Sequence, residues 1–171
     1  VVDRGLRPSN RRVYAIGDAV AGPALAARAE RQAAGVVRSI LLRLPYRDDP
    51  ALVPSIAFTD PAIASVGLSE AAARRRHRDL RVIRLPFAGS DRALVENLST
   101  GLVKVVATPG GRVLGAGIVG RGAPELVATW ALAVAHGLSV DSVSRLPAGY
   151  ATRTAVAQSV AHQVKVAGLT S

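Results

Sequence analysis

Cysteine is absent from the 171 residues, which excludes a disulfide framework, a thiolate metal site and a thiol nucleophile within this chain. Methionine is absent too, position 1 included, and Val1-Val2-Asp3-Arg4 reads as the interior of a longer polypeptide. Lysine stands only at Lys104 and Lys165, so the positive charge is almost entirely arginine. The histidines, His77, His136 and His162, are too scattered to form a metal cluster, and no metal is expected. Nothing resembles a signal peptide, and no apolar run approaches the ~20 residues of a membrane-spanning helix. The expectation is a cytoplasmic chain without a membrane partner.

What is present is globular material. Hydrophobic residues make up 49% and charged residues 20% of the chain, enough apolar surface for a real core. The net charge of +10 invites a nucleic-acid reading. Its densest stretch is Arg74-Arg75-Arg76-His77-Arg78, but no aromatic residue interleaves with it to stack on bases. A solvated basic face accounts for it, and no nucleic-acid partner is expected.

Along the chain, Arg12–Ile16 reads as a short buried strand turning at Gly17-Asp18, and Pro23 suits the first turn of a helix over 24–43. Apolar Leu25, Ala29, Ala33, Val36, Val37 and Ile40 recur on it at helical spacing. Pro45, Asp48, Asp49 and Pro50 form a polar break, taken as a boundary between segments 1–48 and 49–171. Beyond it, Val53–Thr59, Ile63–Gly67, Leu80–Phe87, a weaker Arg92–Glu96, Leu102–Ala107 and Val113–Val119 read as strands, with Ser69 capping a short helix between. Pro109-Gly110-Gly111 makes a hairpin turn between the last two. Helices follow: Pro124 to His136, stopped by Gly137, a turn near Val140–Val143, and a last one from about Thr152 to Val166. Strands followed by helices predict an α+β fold, an antiparallel sheet of about five strands with helices on one face.

Two motifs carry candidate chemistry. Val13-Tyr14-Ala15-Ile16-Gly17-Asp18 places a carboxylate after a strand, able to accept hydrogen bonds from sugar or ribityl hydroxyls, with Gly17 allowing close approach to the backbone. Ala21-Gly22-Pro23-Ala24-Leu25-Ala26-Ala27 then brings a helix N-terminus, whose free N–H groups and dipole suit an electron-rich ring edge. The second, Gly115-Ala116-Gly117-Ile118-Val119-Gly120, satisfies the dinucleotide G-x-G-x-x-G pattern. Its helix starts near Pro124, too late to present N–H groups to a pyrophosphate, and Val113 pairs more naturally with the preceding hairpin strand. A glycine-bearing strand is the preferred reading, with a Rossmann-type dinucleotide-binding domain the lesser alternative.

Tyr14-Ala15-Ile16-Gly17-Asp18 followed by Gly-Pro-x-Leu-Ala resembles the second FAD motif of the pyridine nucleotide-disulfide oxidoreductases, such as dihydrolipoamide dehydrogenase and mercuric reductase. The likeness continues through Pro54–Pro61, Ala64–Glu70, Pro86-Phe87, Arg92-Ala93, Thr100–Lys104, Leu114–Gly120 and Glu125-Leu126, in the family's order. The resemblance implies the end of an FAD-binding domain in 1–48 and a dimerisation domain in 49–171. It implies FAD as cofactor and NAD(P)H as electron donor in a full-length homodimeric oxidoreductase, this chain alone being inactive without the N-terminal FAD and NAD domains. Asp18 would hold the ribityl chain, with Gly17 and the backbone of Ala24, Leu25, Ala26 and Ala27 beside the flavin; several relatives have His where Ala27 stands. The dimer would form through helices around Val127–Val134 and Val156–Val164. The family's catalytic His–Glu proton relay is missing, for Tyr150 occupies the His position, Ala151 the following Pro and Ala155 the Glu. Tyr150 is the candidate catalytic residue on that ground, although a phenol with an ordinary pKa near ~10 is a poor base at neutral pH. A non-enzymatic dimerisation or scaffold module of the same fold is the other reading.

Overall fold

The computed structural model describes residues 1–157 and 159. The chain divides into two compact units, Val1–Val53 and the part from Pro54 onward.

The first unit is a single long helix, α1 (Ala26–Leu42), wrapped by irregular chain. Arg12–Ile16 does not form a strand: a strand is stable only when a ladder satisfies its N–H and C=O groups, and no paired segment lies beside it in this unit. Its backbone ties are local, the Val13 N–H donating to the Asn10 carbonyl at 3.1 Å and the Ala15 N–H to the Leu6 carbonyl at 3.0 Å, and Ile16 keeps an extended φ of −134°. Pro23 also falls short of the helix, whose N-cap is Leu25. The face of α1 that this unit buries is Arg28, Gln32 and Val36, two polar side chains and one apolar, at i, i+4 and i+8. Of the apolar stripe read at helical spacing, Val36 is buried, Leu25, Ala29 and Ala33 are half-buried, and Val37 and Ile40 are exposed.

The second unit is an α+β domain around one five-stranded antiparallel sheet, in the order β1-β2-β5-β4-β3. The strands are β1 (Ser55–Ala57), β2 (Ile63–Gly67), β3 (Arg81–Pro86), β4 (Gly101–Ala107) and β5 (Val113–Gly120). β4 and β5 form the expected hairpin, Gly111 N–H donating to the Thr108 carbonyl at 2.9 Å across the turn. Valines dominate β4, and their branched side chains suit the pleated surface. Val103, Val105 and Ala107 alternate toward one face, where β5 adds Val113, Ala116 and Ile118. That face is covered by α4 (Ala123–His136), which brings Leu126, Val127, Trp130 and Ala133 to the core. Gly137 ends α4 in a left-handed conformation, φ 61°, as its sequence position predicts. The short α5 (Val140–Ser144) follows, with Val140 and Val143 in the same core.

On the opposite face the short α2 (Glu70–Arg74) packs Ala73 against Val106 and Leu114. Ser69 caps it, its hydroxyl accepting from the Ala72 N–H at 3.2 Å. Arg92–Glu96 is not a strand but belongs to a helical turn, α3 (Asp91–Val95). The Leu94 N–H donates to Ser90 and Arg92 pairs with Glu96 one turn on, local bonds that an isolated five-residue strand could not match. The predicted last helix is seen only at its start, 155–157; its remainder, with His162 and most of Val156–Val164, lies outside the described residues.

Candidate functional site

Gly17 opens a single 3-10 turn, Gly17–Ala19, at φ +63°, a conformation that a β-carbon makes costly. Its N–H donates to Gln32 Oε1 at 2.7 Å. This bond runs from the turn to the buried face of α1 and sets where the next residue, Asp18, begins. The Asp18 carboxylate is exposed and has no hydrogen-bond or ion-pair partner among the described residues. A free carboxylate on a pinned turn is an acceptor held ready for hydroxyl donors.

The N-terminus of α1 lies a few residues further on. No side chain caps it, and the exposed Ala24, Ala26 and Ala27 project nothing larger than a methyl group there. Leu25 is half-buried and its carbonyl accepts from the Arg28 and Ala29 N–H groups at 3.0 and 3.1 Å. The helix end thus presents backbone N–H groups and the positive end of a dipole to whatever approaches.

Beneath these two features lies a polar network that sequence reasoning missed. Arg28 Nη2 pairs with Asp48 Oδ2 at 2.8 Å, and Gln32 Nε2 donates to the same oxygen at 2.9 Å. Arg28 also donates to the Ala21 and Pro23 carbonyls at 3.1 and 3.3 Å. Arg28 is 2% exposed and Gln32 0%, so breaking the pair would strand a buried charge, a loss of about 3–5 kcal/mol. Tyr46 lies beside the network, its phenol pKa raised first by burial and then by the Asp48 carboxylate. The signal in the sequence is the Arg28–Gln32 spacing of one helical turn, which puts both on one face of the helix. Asp48 looked like a residue of a polar linker.

In the second unit, Tyr150 is 88% exposed on an irregular loop, and Ala155 follows at the first turn of a helix. Arg153 anchors the loop, donating from Nε to Glu96 Oε2 at 2.9 Å, with Nη2 also on that oxygen. Arg92 Nε donates to Glu96 Oε1 at 2.7 Å, so one carboxylate joins α3 to the Tyr150 loop. Its pKa is lowered, chiefly by the Arg153 bond. The G-x-G-x-x-G run is β5 itself, a central strand: Gly115 pairs with Gly67 and Val106, and Gly117 with Ser65 and Lys104. Its backbone faces two neighbouring strands, which removes the geometry of a phosphate loop and with it the Rossmann alternative. Among the described residues no group of three or more His, Cys, Asp or Glu side chains could hold a metal ion.

A family model described as pyridine nucleotide-disulphide oxidoreductase, dimerisation domain, matches residues 53–161. The chain belongs to that family. Dihydrolipoyl dehydrogenase of Geobacillus stearothermophilus is 35% identical over 144 residues, covering 84% of this chain and 30% of the relative. Mercuric reductase of Staphylococcus aureus is 35% identical over 167 residues, 96% of this chain and 29% of the relative. Among solved structures, LpdA of Mycobacterium tuberculosis superposes with a TM-score of 0.87 at 27% identity, covering 95% of this chain and 36% of that one. This member of the family therefore spans about 30% of the length of the curated relatives it matches. No helix among the described residues is long and apolar enough to cross a membrane.

Proposed function

We propose that this chain works as the C-terminal part of a homodimeric, FAD-dependent NAD(P)H oxidoreductase, residues 1–48 completing the FAD site and residues 49–171 forming the dimer. The observation that carries the reading is the Asp18 carboxylate, uncommitted and exposed on a fixed turn just ahead of an uncapped helix N-terminus. The residues fit the cofactor. Asp18 supplies the acceptor that a ribityl hydroxyl needs, and Gly17 lets the chain come close to it. Ala24, Ala26 and Ala27 leave the helix end open to a flat ring, with Leu25 as an apolar neighbour. When bound, FAD would supply two-electron transfer from NAD(P)H. The task of this chain's residues is to bind it, orient it, and offer a positive dipole end where the ring gains negative charge.

The family's relay of an imidazole and a carboxylate is replaced by Tyr150 and Ala155. An exposed phenol on a loop suits hydrogen bonding to a substrate or a partner better than proton abstraction near neutral pH. The substrate is accordingly one whose reduction does not need that relay. The same exposure also favours the second reading, a scaffold module in which Tyr150 serves only as a contact.

The deciding experiment is Asp18→Ala in the full-length protein. FAD binding should weaken about tenfold or more, the loss of a charged hydrogen-bond acceptor, with the unfolding midpoint unchanged. Unchanged FAD affinity would remove the reading.

A further inference from the structure

The side chains beneath the Asp18 turn are buried, polar and assigned no contact with the cofactor. We infer that Gln32 and Arg28, oriented by Asp48, are positioning residues that hold the Asp18 turn and the N-terminus of α1 at a fixed separation, and so set how tightly the unit binds a ribityl-flavin group. This rests on the FAD reading of Asp18 and extends it to residues that touch no ligand.

Gln32 uses its amide in both senses: Oε1 accepts from the Gly17 N–H at 2.7 Å, and Nε2 donates to Asp48 Oδ2 at 2.9 Å. A carboxylate could do only the first and an amine only the second. The Asp48 oxygen that orients Gln32 also takes Arg28 Nη2 at 2.8 Å. Arg28 in turn holds the carbonyls of Ala21 and Pro23, in the segment that leads into α1. One carboxylate oxygen thus governs two arms. One arm ends on the backbone beside Asp18, the other on the backbone entering the helix. Gly22 lies so close that a β-carbon there would fall 2.7 Å from Arg28 Nη1, so the guanidinium is packed directly under this segment. Among the described residues Arg28 Nε has no partner, a cost accepted in an arrangement where the terminal nitrogens are all committed to geometry.

A buried ion pair is a weak source of stability, since apolar residues of similar volume often do as well. What these three side chains supply, and apolar ones could not, is a directional link from the α1 core to the Gly17 N–H. Preorganised acceptors bind more tightly because less ordering remains to be done on binding.

The test uses the full-length polypeptide, its apoprotein titrated with FAD, in Asp18→Ala, Gln32→Leu, the combination of the two, Gln32→Glu and Gln32→Met. Gln32→Leu should weaken FAD binding about tenfold and speed hydrogen exchange at the Gly17 amide. In the Asp18→Ala background it should cost less than about threefold, because Gln32 acts through the Asp18 turn. Gln32→Glu, facing the Asp48 carboxylate, should also weaken binding. Gln32→Met, which keeps the length of the side chain but neither of its hydrogen bonds, should weaken binding about tenfold. The inference is overturned if Gln32→Leu binds FAD normally while Asp18→Ala does not, or if its penalty persists in full without Asp18. Should Gln32→Leu fail to fold, Gln32→Met decides: weaker FAD binding with faster exchange at the Gly17 amide supports positioning, and normal FAD binding overturns it. Unchanged affinity in Asp18→Ala is a separate result, which removes the FAD reading itself and this inference with it.

Discussion

Glu70 shows how much a single side chain can organise on a surface. Its carboxylate meets Arg74 Nη2 at 2.7 Å, Arg84 Nη2 at 2.8 Å and Lys104 Nζ at 2.7 Å, joining α2 to β3 and β4. The bonds from Lys104 and then Arg74 lower its pKa from 4.5 to about 2. A folded-state pKa below the unfolded one means that the stabilisation is fully present above pH ~4.5 and is lost as the pH falls toward 2. Thermal unfolding of wild type and Glu70→Gln should therefore differ at neutral pH, with the variant melting lower, and converge as the buffer is taken from pH ~4.5 to ~2. Raising the salt concentration should narrow the neutral-pH gap, because the partners are partly exposed. A gap that stayed constant across the acid range would show that the carboxylate's charge is not what matters. This cluster could not be read from sequence, because Glu70, Arg84 and Lys104 stand 14 or more residues apart in it. Arg84 and Lys104 reach it because β3 and β4 pair them directly across the ladder.

Among the elements, α1 is the one whose buried face departs most from its pattern. Gly35 sits within the helix, where glycine ordinarily costs up to about 1 kcal/mol relative to alanine. The reason it stands there is Tyr46, whose ring crosses so closely that a β-carbon at Gly35 would lie 2.2 Å from it. Gly35→Ala should therefore destabilise the unit by about 1–3 kcal/mol despite the better helix propensity, read as a lower denaturation midpoint. A stabilised variant would mean that Tyr46 moves aside without cost. The Tyr46 hydroxyl also donates to Asp48 Oδ1 at 3.5 Å, so the same variant should weaken the polar network described above. The second instructive element is α3. Residues 92–96 have too few β-branched side chains to specify a strand, and five residues carry too little periodicity to specify a helix. Packing decided the matter: Phe87 and Ala93 reach the core, and Glu96 is left to bridge Arg92 and Arg153.

For the whole molecule, assembly depends on which side of α4 is free. Leu126, Val127, Trp130 and Ala133 are turned into the core, whereas Ala128, Leu132 and Ala135 are exposed along the outer side. The sequence pointed to Val127–Val134 as a dimer contact without separating these two faces, because the helix is apolar on both. Leu132, 57% exposed, is the largest apolar side chain on that outer side. Leu132→Glu should shift the full-length protein from dimer toward monomer in sedimentation equilibrium, with little change in secondary structure, since a charge there is tolerated by water but not by an apolar interface. A dimer of unchanged stability would place the contact elsewhere. The chain's own order of residues was enough to determine the α+β class, the β4–β5 hairpin, α4 and its glycine stop, and the candidate carboxylate at Asp18. Each depends on short-range pattern: alternation, helical spacing, turn residues, and a motif read within a few positions. Only the tertiary structure decided that residues 12–16 form no strand, that 92–96 turn into a helix, and that Arg28, Gln32 and Asp48 meet beneath the Asp18 turn. The first followed from the absence of a pairing partner, and the others from contacts no local pattern reveals, Asp48 with Gln32 and Arg28 16 and 20 residues away and Glu96 with Arg153 57 residues on, whose hydrogen bonds and burial outweigh local propensity once the chain has folded.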